Sequence, residues 1–154
     1  MVEQAKIPYV IHEYDVDIAH LDALHAADGM GIPVEEVYKT IVLTGDRTGH
    51  LVACIAAHKE LDLKQVAKIS GNKKVELLSL DQLEPLTGYV RGGCSPIGMK
   101  KKFPTFIEES AMQNETIRIS AGKRGLQMEL APKDLQKMTE ATLFNNASHE
   151  EIDE

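Results

Sequence analysis

The sequence has no tryptophan and only four tyrosines and three phenylalanines in 154 residues. So few rings exclude base stacking as the main means of holding a nucleic acid. Cysteine is nearly as scarce. Cys54 and Cys94 belong to no CxxC or CxxH unit, which excludes a disulfide framework. Cys54 lies in the apolar run 51–55 and reads as a small buried hydrophobe. Apolar runs stop at strand length, so no membrane span or signal peptide is predicted, and a cytoplasmic location is the default. Positive charge is in deficit: 17 Lys and Arg face 24 Asp and Glu, a net charge of −7. That excludes a generally basic coat for nucleic acid. The deficit is uneven. Residues 88–125 hold seven Lys/Arg and three Glu, a net +4, and the remainder carries −11. A basic insert in an acidic body can steer an anionic partner to one face, although local variation produces the same pattern.

Several motifs are also missing. There is no Gly-x-x-x-x-Gly-Lys-Ser/Thr loop and no dinucleotide fingerprint after a first strand. The six histidines are scattered without HExxH spacing, so no metal site is predicted. No internal repeat is present.

What remains is a balanced globular composition, 43% hydrophobic and 27% charged, of a length suited to one domain. Tyr9 to Tyr14 reads as a strand with Tyr9, Ile11 and Glu13 on one face. Ala19 to Met30 is a candidate helix, and Pro33 to Tyr38 a short helical approach. Thr40–Thr44 and His50–Ala57, joined by Gly45–Gly49, read as a hairpin. Leu61–Ile69 is a helix capped by Asp62, with Leu63, Val66 and Ala67 on its apolar stripe. Further strands are expected at Val75–Leu78, Phe103–Ile107, Glu115–Ser120 and Leu126–Leu130. Helical turns are expected from Ser79 or Asp81 to Gly88, at Ser110–Met112, and from Ala131 to Thr139, where Pro132 suits the first turn. Residues 149–154 read as an acidic frayed tail. About seven strands and four helices in mixed order exclude a doubly wound sheet and predict one α/β domain with a strongly curved mixed sheet.

The richest stretch chemically is Gly88–Gly98, with four glycines and Pro96. Glycines let bare amides approach a ligand and stabilise an oxyanion, but they also build tight turns. Cys94–Ser95 suggests a nucleophile, yet no histidine follows until His149, and Ser95 reads more simply as a brace of the loop. Lys39 stands at a strand mouth, where a cation holds phosphate or is merely solvated. Lys100, Lys101 and Lys102 offer the same choice, as do Lys123 and Arg124. Asp134 follows Pro132 in a helix first turn, where capping is its plain role.

These pieces converge. Tyr38-Lys39-Thr40, residues 60–64, residues 86–90, residues 92–98, Pro104-Thr105-Phe106, Gly122-Lys123-Arg124-Gly125-Leu126 and residues 129–135 resemble the YbaK/EbsC family of trans-editing aminoacyl-tRNA deacylases. The chain is similar also to the editing domain of bacterial prolyl-tRNA synthetases. The resemblance runs from about Tyr9 to Thr142 and implies an editing domain over residues 1–148. It implies a single α/β domain with a curved, partly barrel-like mixed sheet flanked by helices. It implies hydrolysis of the ester joining a wrong amino acid to tRNA, most specifically Cys-tRNA(Pro), with no metal or organic cofactor. In the cysteine-specific branch the substrate's own thiol attacks its carbonyl, which would explain the missing triad.

Matched by motif, the resemblance gives catalytic roles to Lys39, Gly98 and Asp134. Lys39 positions the terminal phosphate or ribose, and Asp134 orients the substrate amine or holds the pocket wall. Tyr14, Gly93, Ser95, Pro96, Ile97 and Gly98 line the aminoacyl pocket. Lys100, Lys101 and Lys102 contact tRNA backbone in a salt-sensitive way. The implied partners are the aminoacyl-tRNA acceptor end and a synthetase such as prolyl-tRNA synthetase, with no DNA and no membrane. Two other classes remain in competition. One is a non-catalytic module binding aminoacyl-tRNA or a synthetase, or an editor of another mischarged tRNA such as Ala-tRNA(Pro). The other is a regulatory or envelope-associated role.

Overall fold

The structure, a computed structural model, describes residues 8–13, 34–89, 94–97, 103–122 and 126–146. In chain order its strands are β1 (Tyr9–Glu13), β2 (Tyr38–Gly45), β3 (Gly49–Ala56), β4 (Val75–Leu77), β5 (Thr105–Glu108), β6 (Ile117–Ser120), β7 (Leu126–Leu130) and β8 (Thr142–Phe144). The helices are α1 (Leu63–Ser70), α2 (Leu80–Thr87) and α3 (Pro132–Thr139), with short 3-10 turns at Val34–Glu36 and Glu109–Gln113.

The hairpin is the framework. Val, Ile and Thr suit a pleated surface, and β2 and β3 pair in unbroken register from Tyr38↔Ala56 to Gly45↔Gly49. Gly49 closes the turn at φ 79°, a left-handed conformation that costs glycine little. β4 adds antiparallel to β2, while β5 and then β8 add in parallel beyond β3. The result is a five-stranded mixed sheet, β4-β2-β3-β5-β8. A separate antiparallel sheet has the order β1-β7-β6.

Strand alternation divides the large sheet into two faces. One face presents Leu43, Leu51, Ala53, Ile55 and Phe106 to Val66 and Ala67 of α1. Helix α1 forms where predicted: the Asp62 carboxylate accepts from the Gln65 amide at 3.2 Å, and Gly71 ends it in the left-handed region. Leu63, expected on the buried stripe, is 36% exposed. The other face carries two clusters. Near the hairpin's open end, Tyr38, Cys54, Ala56 and Ile107 pack with Ile117, Ile119 and Leu130 of the smaller sheet and Leu135 of α3. Fully burying one such leucine contributes roughly 2–3 kcal/mol. Nearer the turn, Val42, Val52 and Cys94 pack with Leu83 and Leu86 of α2, Tyr89 and Phe103.

The barrel-like, strongly curved sheet expected from the resemblance is not what forms. Among the described residues no sheet is closed into a barrel or strongly curled. Closure needs edge strands that tilt and stagger into one continuous ladder. Here β4 and β8 are three residues each and end the large sheet on opposite sides. One parallel bridge, Val37↔Arg118, joins the two sheets among the described residues. Apart from that bridge, the described parts of the two sheets meet through side chains.

β1 also departs from expectation. Ile11 is 44% exposed, while His12 on the alternate face is half-buried against Glu129. β8 was not anticipated, because a three-residue strand has too short a period to read. Met1–Lys6, Ala19–Met30 and the tail 149–154 lie outside the described residues. Among the described residues no helix is long and apolar enough to cross a membrane.

Candidate functional site

The glycine-loop segment Cys94–Ile97 lies at the seam between the two clusters on one face of the large sheet. Cys94 packs with Val42 and Val52, and Ile97 packs with Tyr38, Cys54 and Leu135. Between these levels the Thr40 hydroxyl meets the Cys54 thiol at 3.7 Å. All four segment residues are buried.

Local hydrogen bonds set the segment's shape. The Ile97 amide donates to Ser95 Oγ at 3.2 Å, so Ser95 braces the loop, as expected. The Tyr89 hydroxyl donates to the Ile97 carbonyl at 2.5 Å. Burial raises the Tyr89 pKa, so this donor stays protonated at neutral pH. Tyr89 is itself anchored: its amide donates to Thr87 Oγ1 at 3.1 Å, and the Thr87 hydroxyl donates to the Leu83 carbonyl at 2.7 Å. On its other side lies Gly122, at φ 96°, where a Cβ would stand 2.9 Å from Tyr89 Cε1. The loop after β6 and the glycine loop therefore meet through one tyrosine ring.

The segment offers no activated nucleophile. Burial pushes the Cys94 thiol up to about 12, and the Cys54 thiol likewise to about 12. At pH 7 the Cys94 thiolate would then be about one part in 10⁵. Among the described residues no three His, Cys, Asp or Glu gather into a metal-binding group.

Lys39 and Asp134 stand apart. Lys39 pairs across from Ile55 on β3, which alternation places on the α1 face with Ile41 and Leu43. That face is opposite the one covered by Cys94–Ile97. Asp134 is the third residue of α3, half-buried, and its amide donates to the Ala131 carbonyl at 3.0 Å. Its neighbour Leu135 is buried in the same cluster as Ile97. α3 and the glycine-loop segment thus share a face, and Lys39 lies across the sheet from them. Tyr14, Gly93, Gly98, Lys100, Lys101 and Lys102 lie outside the described residues.

A second polar group was not singled out from the sequence. On the smaller sheet His12, Arg118, Gln127 and Glu129 project to one face, opposite Ile119 and Leu130. His12 Nε2 lies 2.8 Å from Glu129 Oε1, the Thr116 hydroxyl donates to Glu129 Oε2 at 2.5 Å, and Arg118 Nη2 lies 3.9 Å from Oε1. The hydrogen bonds from Thr116 and His12 hold the Glu129 carboxyl below its ordinary value. Beside this group Gln127 is 3% exposed, and its Oε1 has no hydrogen-bond partner among the described residues. A buried amide oxygen without a donor is unusual in a native interior. The sequence signal was a glutamine between apolar neighbours in a half-buried strand.

Residues 19–138 match the aminoacyl-tRNA editing domain. The chain belongs to that family. An aminoacyl-tRNA editing domain acts as a deacylase that hydrolyses mischarged aminoacyl-tRNA. Over 139 residues the chain is 53% identical to an Enterococcus faecalis protein, EbsC, named as a candidate Cys-tRNA(Pro)/Cys-tRNA(Cys) deacylase; the match covers 90% of this chain and 85% of that protein. Among solved structures, one described as a candidate trans-editing enzyme for prolyl tRNA synthetase superposes with TM-score 0.82 and 20% identity, covering 96% and 92% of the two chains. The hypothetical protein APE2540 superposes with TM-score 0.85 and 18% identity over 94% and 95%. At such identities the likeness is one of fold.

Proposed function

We propose that this editing domain removes cysteine from mischarged tRNA, with Cys-tRNA(Pro) as the leading substrate, by letting the substrate supply its own nucleophile. One observation carries the reading. The nucleophile candidates of the glycine loop are disabled by their surroundings: Cys94 is buried and protonated, and Ser95 Oγ is engaged by the Ile97 amide. A substrate thiol supplies what the loop lacks. Its sulfur attacks the ester carbonyl, the C–S bond forms, and the ester C–O bond breaks. The thiol proton leaves with the tRNA 3′ hydroxyl. Water then opens the cyclic thioester to free cysteine.

The protein's part is shape and electrostatics. Backbone amides of Gly93, Cys94, Ser95 and Gly98 are the donors for the developing oxyanion, since Pro96 has no N–H and the Ile97 amide is taken by Ser95. Asp134 orients the substrate amine, and Lys39, which strand alternation turns away from the glycine loop, holds the terminal phosphate or ribose outside the loop's pocket rather than at the reacting carbonyl. A synthetase such as prolyl-tRNA synthetase delivers the mischarged tRNA, consistent with an acidic protein of modest affinity for free tRNA. The test is turnover of Cys-tRNA(Pro), Cys-tRNA(Cys), Ser-tRNA, Ala-tRNA(Pro) and correctly charged tRNA(Pro). Cysteinyl substrates should react at least tenfold faster than seryl ones of similar size. Equal rates for Cys and Ser would eliminate the substrate-thiol route.

A further inference from the structure

The turn between β2 and β3 is fastened to the segment that follows α1. Asn72 Oδ1 accepts from the amides of Arg47 and Thr48 at 2.8 and 3.0 Å, and its Nδ2 donates to Thr48 Oγ1 at 2.9 Å. In the other direction Asp46 Oδ1 accepts from the amides of Lys73 and Lys74 at 2.9 and 3.1 Å. Gly45 is part of the clamp, because a Cβ there would lie 2.4 Å from Asn72 Nδ2.

This clamp gathers cations from two separate stretches. Arg47 comes from the turn and Lys73 and Lys74 from the docked segment. Lys64 and Lys68 continue the group along α1, four residues apart and so neighbours on one helix face. All five are exposed. Residues 46–48 and 64–76 hold five Lys/Arg and two Asp/Glu, a net +3 in a chain whose total is −7. The two acids are engaged locally. Asp46 binds the two lysine amides, and Glu76 Oε1 lies 3.1 Å from Lys74 Nζ.

The patch has no ring to stack on a base, since residues 45–76 contain no Phe, Tyr or Trp. It presents cationic donors alone, which suits a sequence-independent phosphate backbone. It also lies at a distinct place. Along β2, Gly45 is five residues from Thr40, roughly 17 Å at about 3.4 Å per residue. We propose that this patch docks the phosphodiester backbone of the tRNA's duplex portion while the aminoacylated end lies at the glycine loop. The inference rests on the aminoacyl-tRNA reading above and adds a second, remote contact to it.

The test compares the full chain with the triple variant Lys64→Glu, Lys68→Glu, Lys73→Glu. Binding of uncharged tRNA is followed by fluorescence anisotropy across a salt series. Deacylation is measured on mischarged tRNA and on an aminoacyl-adenosine that lacks the duplex. In the variant, Kd and KM for tRNA should rise about tenfold or more near 0.1 M salt, and the log–log salt slope should fall by about 2–3. Turnover of aminoacyl-adenosine and kcat on tRNA should stay within about twofold. Unchanged Kd and KM, with deacylation intact, would overturn the patch and leave the deacylase reading standing. Weakened tRNA binding in the variant of a chain that hydrolyses no aminoacyl-tRNA would do the reverse. The Lys→Gln triple variant, which neutralises without reversing charge, should give an intermediate Kd.

Discussion

The Tyr89 hydroxyl donates to the main-chain carbonyl of Ile97, and thereby ties the C-terminal end of α2 to the glycine loop. Ile97 in turn sits in the cluster that joins the two sheets. One phenol therefore connects helix, loop and sheet seam. Replacing Tyr89 by Phe keeps the ring and removes the donor, leaving a buried carbonyl unsatisfied. The expected cost is about 1–2 kcal/mol. Chemical denaturation checks it, and KM should rise more than kcat falls because the loop loses its anchor.

Gly122 is needed for two reasons, its left-handed φ and the Tyr89 ring 2.9 Å from where a Cβ would sit. Gly122→Ala should destabilise by about 1–3 kcal/mol. In a Tyr89→Ala background the steric part disappears and the conformational part remains. The double-mutant cycle should therefore show that Gly122→Ala costs less there. Strict additivity would mean that the ring is not the obstacle.

Cys94→Ala should retain most deacylation and lose about 1 kcal/mol of stability from the small void left beside Val42 and Val52. In the native chain thiol-specific reagents should label Cys94 slowly at pH 7, because burial keeps its pKa up at about 12. Near-complete loss of activity in a folded Cys94→Ala variant would restore an enzyme nucleophile.

Lys39→Ala should lower deacylation at least tenfold without unfolding the domain, since Lys39 is only partly buried. Lys39→Arg keeps the charge and should recover part of the rate. Steady-state kinetics beside a thermal melt separates the two effects. An unchanged rate for Lys39→Ala removes the residue from the mechanism.

Glu129 links stability to pH. Its carboxyl lies below its ordinary value through hydrogen bonds from Thr116 and His12, so the folded state binds its proton less readily than the unfolded chain. Its stabilisation is fully present above the unfolded value near 4.5 and fades as pH falls through the lowered folded value. Glu129→Gln should cost about 1–2 kcal/mol at pH 7. The gap between variant and native chain should close in acid, as denaturation at a series of pH values would show.

Legibility varied with the range of the interaction. The hairpin, the Asp62 cap and the Pro132 start of α3 were readable because they depend on residues a few positions apart. The position of Lys39 was readable as a strand mouth, but its face was not. Pattern gave no reason to place it opposite Ile55 and away from Ile97. Ser95 as a brace of the loop was readable, because a serine in a turn bonds backbone close by; that the Ile97 amide is its partner was not. The short β8 was not, since three residues display no period. The expected barrel failed for a related reason: closure depends on which edges meet, and the strand sequences do not encode that locally.

The amino-acid order by itself determined the editing-domain motifs, the glycine loop and the scarcity of aromatics. These are properties of residue type and spacing. Tertiary structure alone decided that Cys94 is buried and protonated, that Gln127 Oε1 faces no donor among the described residues, and that Asn72 draws Arg47 toward Lys73 and Lys74. Burial, proton affinity and charge clustering depend on what distant segments place around a group. That arrangement exists only once the sheets have stacked.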